Sequence, residues 1–216
     1  WSFIPPKKKD LDSEAFPGMT NPIDQFVKLK LDEKGLDFSS PASKETLIRR
    51  ITFDLTGLPP SLQEINSFVE NSDENAYEKL IDRLLSTNAH AERLAVDWMD
   101  LSRYADSHGL HADGARTMWP WRDWVLKAIK SNMPYDQFVT WQIAGDLLPD
   151  ATTNQKLATA FNRNTPMTAE GGVVDEEWRL NYVFDRTETI STAFLGLTVA
   201  CAKCHDHKFD PISQKD

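Results

Sequence analysis

Cysteine is almost missing from this chain. There are two in 216 residues, Cys201 and Cys204, and no second pair exists to build a disulfide scaffold. Long apolar runs are missing too: none approaches the roughly 18–20 residues of a membrane span, so this segment is not expected to cross a bilayer. Positive charge is short, with 24 Lys and Arg against 33 Asp and Glu for a net charge of -9. So acidic a surface repels phosphate backbones, and no nucleic-acid partner is expected. The one basic run, Lys7 to Lys9, is too short to reverse that. No stretch has the alternation of a strand, and there are no repeats or low-complexity tracts. The opening "WSFIPP" and the closing "DPISQKD" are abrupt, with no signal peptide in view, so the chain reads as a module of a longer product. What is present is ordinary globular composition, 40% hydrophobic and 26% charged, in a length that can bury a sizeable core.

The periodic segments are helical. Residues 1–21, rich in Pro and Lys, read as an extended arm. Asn21 and Pro22 open a first helix with Ile23, Phe26, Val27 and Leu31 on one face, and Gly35 closes it. Ser43 to Pro60 gives a second. Ser61 with Glu64 is a capping box for a third. A fourth follows Asn75, its stripe formed by Tyr77, Leu80, Ile81, Leu84 and Leu85. Further helices are expected over 89–105, 120–132, 134–148, 154–163 and 176–196. Between them lie loops at 106–117 and 164–175. The expectation is therefore an all-α, multi-helix orthogonal bundle with long loops. Its helical domain spans 22–216, with a possible N-terminal subdomain at 22–87. Six of the seven tryptophans lie from Trp98 onward. Trp119, Trp121, Trp124 and Trp141 are candidates either for core packing or for the wall of a flat cofactor or sugar site.

The chemistry-bearing stretch is "LGLTVACAKCHDHKFDP", residues 195–211. Covalent haem attachment needs two thiols spaced for two vinyl groups and an imidazole beside them for the iron; Cys-x-x-Cys-His is that signature. Cys201 and Cys204 would form the thioethers, and His205 would be the proximal iron ligand. Other uses of the same residues stay open. A redox dithiol sits at a helix N-terminus near a βαβ pattern, which is not evident here. Zinc on Cys201, Cys204, His205 and His207 lacks the usual separation between ligand pairs. A plain disulfide, or no special role, also remains. On a helix His207 would face away from His205 and could not ligate the same iron. A sixth ligand would come from elsewhere, Met167, His108 or His111 by chemistry, unless the iron is five-coordinate. His90 reads as an ordinary side chain.

Several stretches carry a family resemblance: "NPIDQFVKLKLDEKGL", "TLIRRITFDLTGLPPS", "WMDLSRYADSHG", "WRDWVLKAIKSNMPYDQFVTWQIAGDLLPDAT", "FNRNTPMTAEGG" and "LGLTVACAKCHDHKFDPISQKD". Over nearly its whole length the chain resembles the cytochrome c-like domain of large exported proteins in planctomycetes and related bacteria. That resemblance implies covalent haem c at Cys201, Cys204 and His205, and electron transfer on behalf of a larger multidomain protein, with a link to polysaccharide metabolism. It also implies a periplasmic or cell-surface location, an attached C-terminal domain and a redox partner. Arg103, Asp106, Arg122, Asp123, Asn162, Arg163, Glu170, Asp185 and Arg186 match recurring polar positions. They would serve as a buried ion-pair network, or as a site facing haem propionates or a substrate. Glu170, Asp175, Glu176 and Glu177 can hold calcium or act as helix N-terminal charges. The alternative from a different class is a haem-free helical binding or scaffold module. It would carry a Cys201–Cys204 disulfide and contact carbohydrate or a partner domain.

Overall fold

The computed structural model describes residues 4–8 and 16–215. The expected arm at 1–21 therefore falls partly outside the described residues, as does Lys9 of the basic run. The chain is all-α, and among the described residues there are no strands, only isolated bridges at Ser107–Ala115 and Gly109–Met167. It divides into two compact units, 1–43 and 44–216.

The first unit carries α1 (Pro22–Asp32). Asn21 Oδ1 accepts from Ile23 N at 2.9 Å, so the helix starts where the Asn-Pro pair places it. Gln25, inside the helix, donates its amide back to the Met19 carbonyl at 2.6 Å.

The second unit holds α2 (Lys44–Thr56), α3 (Leu62–Glu70), α4 (Ala76–Leu85), α5 (Asn88–Leu101), α6 (Trp119–Lys130), α7 (Tyr135–Ala144), α8 (Thr153–Ala158) and α9 (Asp175–Ile190). The expected subdomain at 22–87 is thus distributed over both units, α1 in the first and α2 to α4 in the second. The last three share a core of Ile48, Phe68, Ala76, Leu80 and Leu84. The Ser61–Glu64 capping box is formed in full at the start of α3.

A larger core lies among α5 to α9. On α6, Trp121, Trp124, Val125 and Ala128 are buried at i, i+3, i+4 and i+7, against Ala95, Phe138, Ala158 and Phe161. Trp121 is 1% exposed and donates Nε1–H to the Ala158 carbonyl at 3.1 Å. Trp98 meets Phe138, Phe161 and Phe194 with ring centroids 5.2–5.9 Å apart. The cofactor- or sugar-wall reading of the tryptophan group is corrected here. Trp121 and Trp124 are core residues, Trp141 packs against that core, and only Trp119 stands half in solvent.

Two boundaries differ from the periodic reading. α5 stops at Leu101 rather than 105, because Arg103 takes a left-handed φ of +58°. The long C-terminal helix ends at Ile190 and continues as a π turn over Ser191–Leu195. The wider turn carries Phe194 onto Phe161, centroids 4.9 Å apart, and left-handed Gly196 then releases the chain toward the cysteines.

Candidate functional site

The cysteine motif follows that π turn. Val199–Lys203 forms a short 3₁₀ segment, with Cys204 at its end. The expected helical turn is therefore a tighter one that does not extend to His205. In a 3₁₀ turn, residues i and i+3 lie on one side, which suits Cys201 and Cys204 for a common partner. Both thiols are exposed and free, so the disulfide of the scaffold reading is not formed in this structure. The amides of Cys204 and His205 both donate to the Cys201 carbonyl at 3.2 Å.

His205 Nδ1 lies 2.8 Å from the Asp206 carbonyl. A carbonyl only accepts, so the proton sits on Nδ1 and the lone pair on Nε2, the atom a metal would take. His207 is not on a helix opposite His205. Its side chain is 7% exposed, and Nδ1 accepts from Asp210 N at 2.9 Å and Phe209 N at 3.3 Å. Nε2 then carries the proton toward Thr198 Oγ1, 3.3 Å away. His207 therefore organises the turn that follows the motif. Gln214 N donates to Asp206 Oδ1 at 2.9 Å and holds the same turn from downstream. Lys203 docks the motif on α9, with Nζ 4.9 Å from the Phe184 ring centre and 3.4 Å from Asn181 Oδ1.

A second concentration of chemistry lies on the adjacent face of α9, about 100° round the helix. Trp178, Tyr182, Asp185 and Thr189 stand at i, i+4, i+7 and i+11, and the 103–116 and 162–170 loops meet them. The Arg103 guanidinium pairs with Asp185. His111 Nδ1 sits 2.8 Å from Glu170 Oε1, and its ring meets Trp178 edge-on at 5.9 Å. Tyr182 Oη accepts from Thr168 N at 3.0 Å. Met167 N donates to the His108 carbonyl at 2.9 Å. His108, His111 and Met167, separate candidates in the sequence, thus belong to one loop cluster with the Arg and Asp positions. Trp178 and Tyr182 escaped notice because their stripe ends in a carboxylate and reads as neither apolar nor charged.

Much of this polar set is structural. Arg116 donates to the carbonyls of Arg163 at 3.2 Å, Asn164 at 3.0 Å and Thr165 at 2.8 Å. Burial and the neighbouring Arg103 and Arg163 charges hold its pKa below the usual value. Arg186 Nε donates to the Asn162 carbonyl at 3.1 Å. Arg122 pairs with its neighbour Asp123.

Asp106 caps α6 from a distance, its Oδ1 accepting from Met118 N at 2.8 Å and Trp119 N at 2.7 Å. Its other oxygen accepts from the Tyr104 hydroxyl. Burial alone would raise the Asp106 pKa, but the Tyr104 hydroxyl, the two amides and Arg122 outweigh it and leave the pKa lowered. Burial first, then that hydrogen bond, push the Tyr104 phenol up to about 12. A carboxylate with a depressed folded pKa adds stability above its unfolded value and loses it as pH falls through the folded one. Asp106→Asn is therefore expected to be less stable than the parent at neutral pH. The gap should close at pH below the ordinary carboxylate range, where both side chains are neutral. Urea midpoints measured across pH check this, and a gap of constant size would contradict it.

Among the described residues, no group of three or more His, Cys, Asp or Glu side chains is placed to hold a metal ion. The calcium reading of the 170–177 carboxylates gives way accordingly. Asp175, Glu176 and Glu177 occupy the first turn of α9, where the helix dipole favours them, and Glu170 is engaged by His111.

Comparison with known families gives a match over residues 22–216, to a family described as "Protein of unknown function (DUF1549)". No curated protein and no solved structure matches the chain.

Proposed function

The chain belongs to the PSCyt2 family, and we propose that it is an exported c-type haem module that passes electrons for a larger protein. The observation that supports this reading is the state of the motif. Two free, exposed thiols share one 3₁₀ turn, and the imidazole beside them has Nδ1 tied to a carbonyl. The side chains present suit the group. Cys201 and Cys204 would hold it through thioethers, and His205 Nε2 would bind its iron. Bound haem supplies a reversible one-electron iron couple. The chain's part is to fix the His205 tautomer through the Asp206 carbonyl and to hold the motif on α9 through Lys203. Glu170 holds His111 at Nδ1 and leaves its Nε2 free, so His111, Met167 and His108 all stay candidates for a further ligand to the iron. Attachment of haem c takes place outside the cytoplasmic membrane, so a periplasmic or surface location belongs to the same proposal. So do an attached C-terminal domain and a redox partner as electron donor or acceptor. The "Cyt" in the family's name agrees with this reading.

Co-expression with a haem-maturation system is expected to give a mass gain of one haem that survives denaturation. Cys201→Ser and Cys204→Ser should each weaken the attachment, and the pair should abolish it. Folded protein without haem under those conditions would overturn the proposal. A mass shift on reduction would then identify a disulfide and the scaffold role.

A further inference from the structure

A cavity of about 640 Å³ opens where α4, α5, α6 and α7 meet in the second unit, with no residue of the cysteine motif in its lining. Its volume lies in the range of small-molecule sites, roughly 300–1,000 Å³, and its make-up matches them, an apolar wall with few polar groups. Ala128 and Phe138, both buried, line it and belong to the core. Ile129 and Met133 add aliphatic wall, and Leu85 and Leu94, 41% and 50% exposed, stand at its opening. Half-buried His90 lines it as well, followed by Leu94 and Trp98 at i+4 and i+8. These three form one stripe of α5 that runs along the cavity for about 12 Å, at 1.5 Å per residue.

The polar groups of the lining select the ligand. The chain carries 33 Asp and Glu, yet none of them lines this cavity, so a cation would enter without a counter-charge. Lys130 is the one ammonium at the wall, and its Nζ is bound at 2.5 Å to Oδ1 of Asn88, which lies outside the lining. A carboxylate would thus meet an apolar wall whose only cation is engaged elsewhere. What remains is neutral. His90 Nδ1 lies 2.9 Å from the Leu55 carbonyl, so it carries the proton and Nε2 keeps a lone pair. Nε2 is the only ring nitrogen left for a ligand, and it asks for a donor. Asn132 and Tyr135, exposed at the rim, are uncharged as well. A plain hydrocarbon would cover Nε2 and leave it unmet. A hydroxyl donates to it, brings no charge and can end an apolar body.

We propose that this cavity binds an uncharged apolar alcohol, its hydroxyl donating to His90 Nε2 and its body lying along the α5 stripe from Leu94 to Trp98. The length of the stripe suits a medium-length alkyl chain or a fused-ring alcohol, two sources of the same chemistry. The site is independent of the haem proposal, because it uses no atom of the cysteine motif.

The test is NMR on the whole chain, isotope-labelled at its methionine methyls and titrated with decanol, naphthol and decanoate. Of the five methionines only Met133 lines the cavity. At least one of the two alcohols is expected to shift the Met133 methyl saturably and to leave the other four unmoved. Decanol alone would indicate a flexible ligand, naphthol alone a flat one. His90→Phe removes the acceptor and keeps an apolar ring, and it should weaken the alcohol about two- to tenfold, the scale of one hydrogen bond. Leu94→Trp puts a larger side chain at the half-exposed opening without touching the core, and it should abolish the shift. If His90→Phe does not fold, Leu94→Trp and the contrast between decanol and decanoate still decide. Decanoate binding as tightly as decanol would make this an anion site and overturn the proposal. A Met133 shift that survives both substitutions would place the alcohol elsewhere and also overturn it. A Met133 methyl that moves on dilution with no probe present would assign the cavity to a second copy of the chain, and the proposal would fall. It would fall as well if neither alcohol gives a saturable shift.

Discussion

Trp121→Ala is expected to bring the second unit to the edge of unfolding, while Trp119→Ala, two residues away in the same "WPW", leaves it unchanged. Trp121 is 1% exposed, with ring centroids 6.1 Å from both Tyr104 and Phe161. Removing a buried aromatic side chain costs about 3–5 kcal/mol, the larger values arising where neighbours cannot collapse into the space. Here the neighbours are pinned: Phe161 is also held against Phe194 and Trp98, and Tyr104 is tied to Asp106. The substitution also strips the Ala158 carbonyl of its donor, and an unsatisfied buried group adds about 1–3 kcal/mol. Together these approach the roughly 5–15 kcal/mol total stability of an ordinary domain. Trp119 is half exposed at the first position of α6, and surface changes of that kind stay within about 0.5 kcal/mol. Urea titration of both variants, followed by far-UV circular dichroism, measures the contrast. Equal losses would mean that α6 is phased differently on its core.

The same pair of tryptophans marks what the sequence could and could not reveal. Helices announced themselves wherever local chemistry decides: Asn21 with Pro22, the Ser61–Glu64 box, the i, i+4 stripe of α4. Phasing α6 on Trp121, Trp124, Val125 and Ala128 excludes Trp119 from the core, so its exposure was legible once the period was counted. The end of α5 was not, because Arg103 adopts a left-handed conformation that its residue type does not ask for. It is held there by tertiary pairing with Asp185, 82 residues on. The cysteine motif was visible as a pattern, but its 3₁₀ geometry and the Asp206 carbonyl on His205 depend on the turn that His207 builds. The loop cluster was visible only in pieces. His108, His111, Glu170 and Arg103 each carried a possible role in the sequence, and only the packing of two loops on α9 turns them into one place. Trp178 and Tyr182 carried no signal beyond their spacing.

Arg116 is where that place is held together, and its removal is the second large effect expected. Its guanidinium is the common donor to three consecutive carbonyls, those of Arg163, Asn164 and Thr165, and also approaches the Ala105 carbonyl at 3.4 Å. Asn164 and Thr165 are 0% and 1% exposed, so water cannot replace the donor without opening the loop. Leaving two or three such acceptors unmet, at about 1–3 kcal/mol each, predicts a loss on the order of 3–5 kcal/mol for Arg116→Ala. Relief of the repulsion from Arg103 and Arg163 offsets part of this, but those charges stand near solvent and act weakly beside the stranded carbonyls. Arg116→Lys should fall between. An ammonium keeps the charge and three donors, but it cannot span carbonyls that a planar fork reaches from two nitrogens. If Arg116 is instead an electrostatic partner only, the lysine variant will match the parent in a thermal melt. If it is the clamp inferred here, both variants lose protection of amides 163–167 in hydrogen exchange, and they lose it before the core helices do.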